Sequence, residues 1–188
     1  MEEYLRIGLM GSASTGKTTI SKSLSQDLNI ELHGEFESTM LKRLIKRGII
    51  ENSTAFTPDQ SREFQQRAIG VREKFSERKN YISDRTAGEL WVYHKKYRTE
   101  CSSQEELELF RDRCLKVMSK YTHLFLFPFG QIPLENNGWR NIDSFYQREI
   151  HTEIEKMLLD FQVPYIQLKE EKFSVDERLQ EILKWIKK

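Results

Sequence analysis

The segment Gly11-Ser12-Ala13-Ser14-Thr15-Gly16-Lys17-Thr18 decides how this chain is read. It matches the pattern GxxxxGK[ST] at every fixed position. An apolar run, Tyr4 to Met10, leads into it, and Ile20, Leu24 and Leu28 recur at helical spacing after it. The unit is therefore strand, glycine-rich turn, helix. Glycines at both ends of the turn let the backbone curl until successive N–H groups and the positive end of the helix point at one place. That place suits a polyphosphate. Lys17 would span its β and γ phosphates, Thr18 would offer a hydroxyl to Mg²⁺, and Thr19 would reach the α phosphate.

Working outward, four more apolar runs alternate with helical patterns. Asn29 to His33 reads as a second strand, followed by the stripe Met40, Leu41, Leu44 and Ile45, which Gly48 should end. Thr57-Pro58-Asp59-Gln60 joins a capping threonine, a proline at the first helical position and a glutamine at the third. A helical insert is expected over residues 57–79, with Phe64, Ala68, Val71 and Phe75 buried. Asn80 to Asp84, Tyr121 to Phe129 and Tyr165 to Leu168 complete the strands, and the strongly apolar 121–129 run is expected at the sheet centre. Thr86 with Glu89, Ser103 with Glu106 and Ser174 with Glu177 have capping-box spacing before three helices, and Ile150, Ile154, Met157, Leu158 and Phe161 mark another. The pattern predicts an α/β protein of the P-loop NTPase fold, with a mainly parallel five-stranded sheet and helices on both faces.

Length and composition narrow the classes. At 188 residues, one domain is expected over 1–188, with the insert at 57–79 and a candidate lid at 131–142. Thirty Lys plus Arg against twenty-nine Asp plus Glu give a formal charge of +1, too little for a field that steers the chain onto nucleic acid or anionic lipid. Local basic clusters remain able to bind phosphate. The longest apolar stretch, Leu124 to Phe129, is far shorter than a membrane span, and Met1-Glu2-Glu3 does not open a signal peptide, so a cytoplasmic protein is expected. Cys101 and Cys114 lack metal or redox spacing, and the four histidines lack HExxH spacing, so no zinc site is expected.

In such sheets the carboxyl ends of the strands gather on one rim, where ligands bind. Glu35 and Asp84 each follow a predicted strand. Asp84 could organise Mg²⁺ through water or accept the proton of an attacking hydroxyl, and Glu35 could be that base or a contact to a sugar hydroxyl. Arg85 directly after Asp84 is placed to clamp acceptor phosphate or to orient Asp84. Arg140, in the polar segment Glu135 to Asp143, would bring positive charge to the transition state while the segment excludes water. Trp139 could stack on a base, and Asp143 reads as the N-cap of the next helix. In the insert, Arg62, Gln65, Gln66, Arg67 and Arg72 could wall an acceptor pocket, and each taken singly reads as solvated charge or polarity on a helix face.

The loop at 11–18, the acid at Glu35, the triplet Asp84-Arg85-Thr86 and the late Asn137-Gly138-Trp139-Arg140 resemble the P-loop nucleoside and nucleotide kinase group. That group includes the nicotinamide riboside kinase-like AAA-type domains of bacteria and phages. The resemblance spans nearly the whole chain. It implies ATP and Mg²⁺ as cofactors, with Asp84-Arg85 as the pair that handles the acceptor and Glu35 as the acid beside the acceptor hydroxyl. Asn137 stands where relatives commonly carry an acid, and the lid region offers only Arg140 and then Arg148. The implied activity is phosphoryl transfer to a nucleoside, a nucleotide or a nicotinamide riboside-like small molecule, in a protein that could form homo-oligomers. Two alternatives stay open: an ATPase switch acting through a protein partner, and a polynucleotide 5′-hydroxyl kinase using Lys42, Arg43, Lys46 and Arg47 as a basic edge. No NKxD tetrad is present, which disfavours a common GTPase.

Overall fold

A computed structural model describes residues 4–34, 36–51, 56–97, 102–132, 144–170 and 174–187. The elements run β1 (Arg6–Met10), α1 (Lys17–Leu28), β2 (Leu32–His33), α2 (Phe36–Lys46), α3 (Pro58–Ser76) and β3 (Tyr81–Asp84). They continue with α4 (Ala87–Tyr97), α5 (Gln104–Met118), β4 (His123–Leu126), α6 (Ser144–Asp160), β5 (Ile166–Gln167) and α7 (Val175–Ile186). All five strands pair in parallel in the order β2-β3-β1-β4-β5. The middle strand is β1; β4 is interior but one place off the centre expected for it. The chain leaves β1 between β3 on one side and β4 on the other, which makes its carboxyl end the topological switch point.

The strands are apolar on both faces because each face has its own core. Ile7, Leu9, Ile82, Phe125 and Phe127 join Ile20 and Leu24 of α1 and Leu179 and Ile182 of α7 in one cluster. Met10, Leu124 and Leu126 point the other way, toward Ala68 and Ile69 of α3 and the inner faces of α4, α5 and α6. The two-residue side-chain period divides each strand between the two layers, so no alternation with polar residues survives in the sequence. Gly8 suits this packing: a Cβ there would lie 2.5 Å from Leu124 Cδ2, and that side chain would have to move.

Three of the four expected capping boxes are complete: Thr57 with Gln60, Ser103 with Glu106 and Ser174 with Glu177 exchange both hydrogen bonds. The fourth is half made. Glu89 Oε2 accepts the Thr86 N–H at 2.8 Å, whereas the buried Thr86 hydroxyl has no hydrogen-bond partner among the described residues. The insert expected over 57–79 is realised as α3, and its helix stops at Ser76. Among the described residues no helix is long and apolar enough to cross a membrane.

Candidate functional site

The loop between β1 and α1 is shaped by backbone conformation. Gly11, Ser14 and Gly16 have φ of 141°, 56° and 86°, of which only Ser14 carries a side chain in the left-handed region. At Gly11 a Cβ would lie 3.0 Å from the Phe127 carbonyl oxygen, just past β4, so a side chain there would crowd the backbone at a φ that other residues rarely adopt. Gly16 caps α1 without a side-chain hydrogen bond, leaving the first N–H groups of a twelve-residue helix directed outward. Lys17 is buried at 4% exposure, and its ammonium donates to the carbonyls of Gly11 and Ser12 at 2.7 and 2.6 Å and to Thr15 Oγ1 at 3.0 Å. Thr18 and Thr19 are exposed at the start of the helix.

Pairing of β1 with β3 sets Asp84 opposite Leu9, two residues before the loop begins. Asp84 is almost fully buried at the rim. Arg85 follows in the left-handed region at φ 74°. Its N–H donates to the Leu9 carbonyl at 3.1 Å, and its own carbonyl accepts from Ser83 Oγ at 2.6 Å and Arg72 Nη1 at 2.8 Å. Those three bonds hold a conformation that costs a non-glycine residue about 1 kcal/mol or more. They also turn the Arg85 side chain toward Glu89, whose Oε1 lies 3.6 Å from its Nη1.

Glu89 is the site residue that sequence reading treated only as a cap. It is buried at 1% exposure. Burial pushes its carboxyl above the usual range, against the opposing charges of Lys17 and Arg85. This carboxyl faces Arg85 and lies within the field of the loop lysine. The capping signature that located it in sequence says nothing about burial.

The α2–α3 side of the rim corrects the expectation for the insert. Arg72 is not solvated: it is buried and grips Glu37 of α2 through two bonds of 2.5 and 2.8 Å, while Nη1 reaches Ser83 Oγ at 3.1 Å and the Arg85 carbonyl. One guanidinium ties α2, α3 and the end of β3 together. Burial alone would raise the Glu37 pKa, but the charge and hydrogen bonds of Arg72 outweigh it and hold the carboxyl below its usual range. Gln65 also turns inward, against His94. Arg62 and Arg67 are exposed and paired with Asp59 and Glu63, and Gln66 accepts from Arg113. His33, beside this clamp, is held near a pKa of about 4 by burial and by Arg72, so it is neutral at pH 7.

A second unforeseen contact comes from α7. Arg178, 3% exposed, donates from Nη1 to the Thr15 carbonyl at 2.7 Å and from Nη2 to Gln131, with its guanidinium over the Phe127 ring. It sits four residues before the buried Ile182, so helical spacing already put it on the core face. Glu35, Arg140, Trp139, Asp143 and Cys101, together with 133–142 of the candidate lid, lie outside the described residues. Cys114 is a free buried thiol whose pKa burial pushes up, which makes it unreactive.

The donor set at the rim fits Mg²⁺. A threonine hydroxyl and a carboxylate are hard oxygen ligands, and a cation that retains water and phosphate oxygens needs few protein groups. Among the described residues no cluster of three or more His, Cys, Asp or Glu competes as a metal cage.

Residues 6–178 match the family model described as AAA domain. No curated protein matches the chain by sequence. In structure, a NadR protein in complex with NAD and AMP-PNP superposes with a TM-score of 0.69 at 16% identity, over 99% of this chain and 50% of its own. The chain thus spans about half the length of that protein. A deoxyadenosine kinase from M. mycoides gives 0.63 at 15% identity over 97% of this chain and 98% of its own. A shikimate kinase from Acinetobacter baumannii gives 0.58 at 16%, over 98% and 94%. These likenesses concern the fold, with its parallel sheet and its loop at the switch point. The chain belongs to the AAA domain family and has the fold of the P-loop nucleoside and nucleotide kinase group.

Proposed function

We propose that this protein transfers the terminal phosphoryl group of ATP, with Mg²⁺, to a nucleoside-, nucleotide- or nicotinamide riboside-like small molecule. The observation that carries this reading is a juxtaposition: the Gly11–Thr18 loop with its buried lysine adjoins Asp84, Arg85 and Glu89 at the carboxyl end of the neighbouring strand. A stand-alone phosphate cradle has no need of the second group. Fold neighbours that include kinases named for deoxyadenosine and shikimate support the same class.

In this reading the loop amides and Lys17 bind the β and γ phosphates, Gly11 to Gly16 supply the backbone cradle, and Thr19 contacts the α phosphate. Thr18 and Asp84 would hold Mg²⁺, which when bound offsets phosphate charge. Arg85, oriented by Glu89, meets the acceptor. The acceptor oxygen forms a new bond to the γ phosphorus as the bond to the β-phosphate oxygen breaks, and the acceptor proton passes to a carboxylate, Asp84 or Glu35. Arg140 adds positive charge as that bond breaks.

Incubation with γ-labelled ATP, Mg²⁺ and a panel of nucleosides, nucleotides and nicotinamide riboside tests this directly. Labelled product with at least one acceptor is the expected result. Steady ATP hydrolysis with no transfer to any acceptor, stimulated by a protein partner, would replace the kinase with an ATPase switch.

A further inference from the structure

The molecule carries a second cationic feature that the phosphoryl-transfer site does not use. A cleft of about 960 Å³ opens between α2 and α3, and none of its lining residues belongs to the 11–18 loop or to Asp84–Glu89. Arg43 and Arg47 line it from α2, Arg67 and Lys74 from α3, and no lining residue is acidic. In a chain whose charges balance to +1, four lining cations, of which Arg67 alone has an acid beside it, are a local excess. All four are exposed. Arg67 pairs with Glu63, while Arg43, Arg47 and Lys74 form no ion pair among the described residues.

The helices run antiparallel, as the Glu37–Arg72 pair at one end and the Gln60 side-chain bond to the Ile49 carbonyl at the other require. The cleft therefore extends along α2, roughly 15 Å at the helical rise of about 1.5 Å per residue. That spread exceeds what a single phosphate group can meet. Between the cations lies an apolar floor that includes Phe36, Met40, Leu44 and Val71. Gly70, in the middle of α3, faces this space, and a Cβ there would meet nothing within 4 Å. A mid-helix glycine costs about 1 kcal/mol relative to alanine. No packing demand accounts for it; it leaves the floor open.

We propose that the α2–α3 cleft is a binding track for single-stranded nucleic acid, with phosphates on Arg43, Arg47, Arg67 and Lys74 and bases against the apolar floor. Cations spaced along an open groove with aromatic side chains for the bases, here Phe36 and Phe75, are how single strands are held without sequence readout. Three of the four cations are arginines, whose planar fork suits phosphate oxygens. One end of the track lies at His33 and Gly34, where β2 reaches the rim that also bears the phosphate loop. The proposal does not depend on the kinase reading, because strand binding needs no ATP.

The test measures fluorescence anisotropy of a labelled oligothymidylate of about twelve nucleotides with the full chain, without ATP. Affinity should fall with salt at a log–log slope of roughly −2 to −3, as expected for three or four neutralised phosphates on a single strand. Arg43→Glu/Arg47→Glu should weaken binding at least about tenfold, and Lys22→Glu/Lys184→Glu, the same charge change on exposed positions of α1 and α7, should not. Gly70→Leu, which alters no charge and favours the helix, should also weaken binding by filling the floor; its thermal midpoint shows that the fold is retained. Lys17→Ala should bind the strand normally. Equal losses in the two charge-reversed doubles, or an unaffected Gly70→Leu, would overturn the track. Displacement of the strand by thymidine diphosphate or by an acidic peptide at equal concentration of phosphate or carboxylate would also overturn it, pointing to a free nucleotide or a protein partner.

Discussion

The two sides of the rim are built by different means. On the phosphate side the geometry is backbone: positive φ at Gly11 and Gly16, a close passage of the Phe127 carbonyl, and an open helix start. On the proposed acceptor side it is side chain, with Arg72 holding Glu37, Ser83 and the Arg85 carbonyl at once and Glu89 meeting Arg85. A backbone site is written in a short contiguous motif, whereas a clamp joining residues 35 positions apart is not. The phosphate side should therefore tolerate loss of its side chain structurally while losing activity, and the acceptor side should lose stability.

Lys17→Ala should show the first half of that contrast most strongly. Phosphoryl transfer should fall by roughly four orders of magnitude, about 5.4 kcal/mol in transition-state stabilisation, with the thermal midpoint near that of the parent. Near-normal turnover would remove Lys17 from the mechanism. Arg72→Ala should show the second half: leaving Glu37 buried without its partner should cost about 3 to 5 kcal/mol in denaturant unfolding. Because the Glu37 pKa is depressed in the folded protein, its stabilisation is present above the usual 4.5 and is lost as pH falls through the folded value. The stability gap between the parent and Glu37→Gln should accordingly narrow below about pH 4.5. A gap that is flat with pH would dissolve the clamp as an ionic one.

Glu89→Gln gives the smallest effect and the sharpest sign. Its folded pKa is raised, so ionisation costs stability as pH rises from the unfolded value through the folded one. At neutral pH the amide should leave stability unchanged or improve it by up to about 1 kcal/mol while still accepting the Thr86 N–H. The acceptor KM should rise about tenfold with the ATP KM little changed, since Arg85 loses its carboxylate partner. Destabilisation with equal effects on both substrates would make Glu89 a cap alone.

Much of the architecture was legible. Strand–helix alternation predicted a mainly parallel five-stranded sheet, and the three full capping boxes sit where Thr57, Ser103 and Ser174 placed them. The strand from Tyr121 was misplaced at the sheet centre because an apolar run reports burial on two faces, and every interior strand has that. Arg178 was readable in principle from its spacing to Ile182, but a charge on a helix face is discounted unless its partner, here the Thr15 carbonyl 163 residues away, is known. Arg72 was misread for the same reason: the solvation of a helix face depends on what packs over it.

By itself, the sequence determined the phosphate loop, its placement between strand and helix, and the alternating layers, because backbone curvature and side-chain period are local properties of neighbouring residues. Only tertiary structure decided that Asp84 abuts that loop, that Glu89 is buried behind Arg85, and that Arg72 is a strut while Arg43, Arg47 and Lys74 face a cleft. Strand order and helix placement assign each charge its dielectric and its partners, and no spacing rule within one segment contains either.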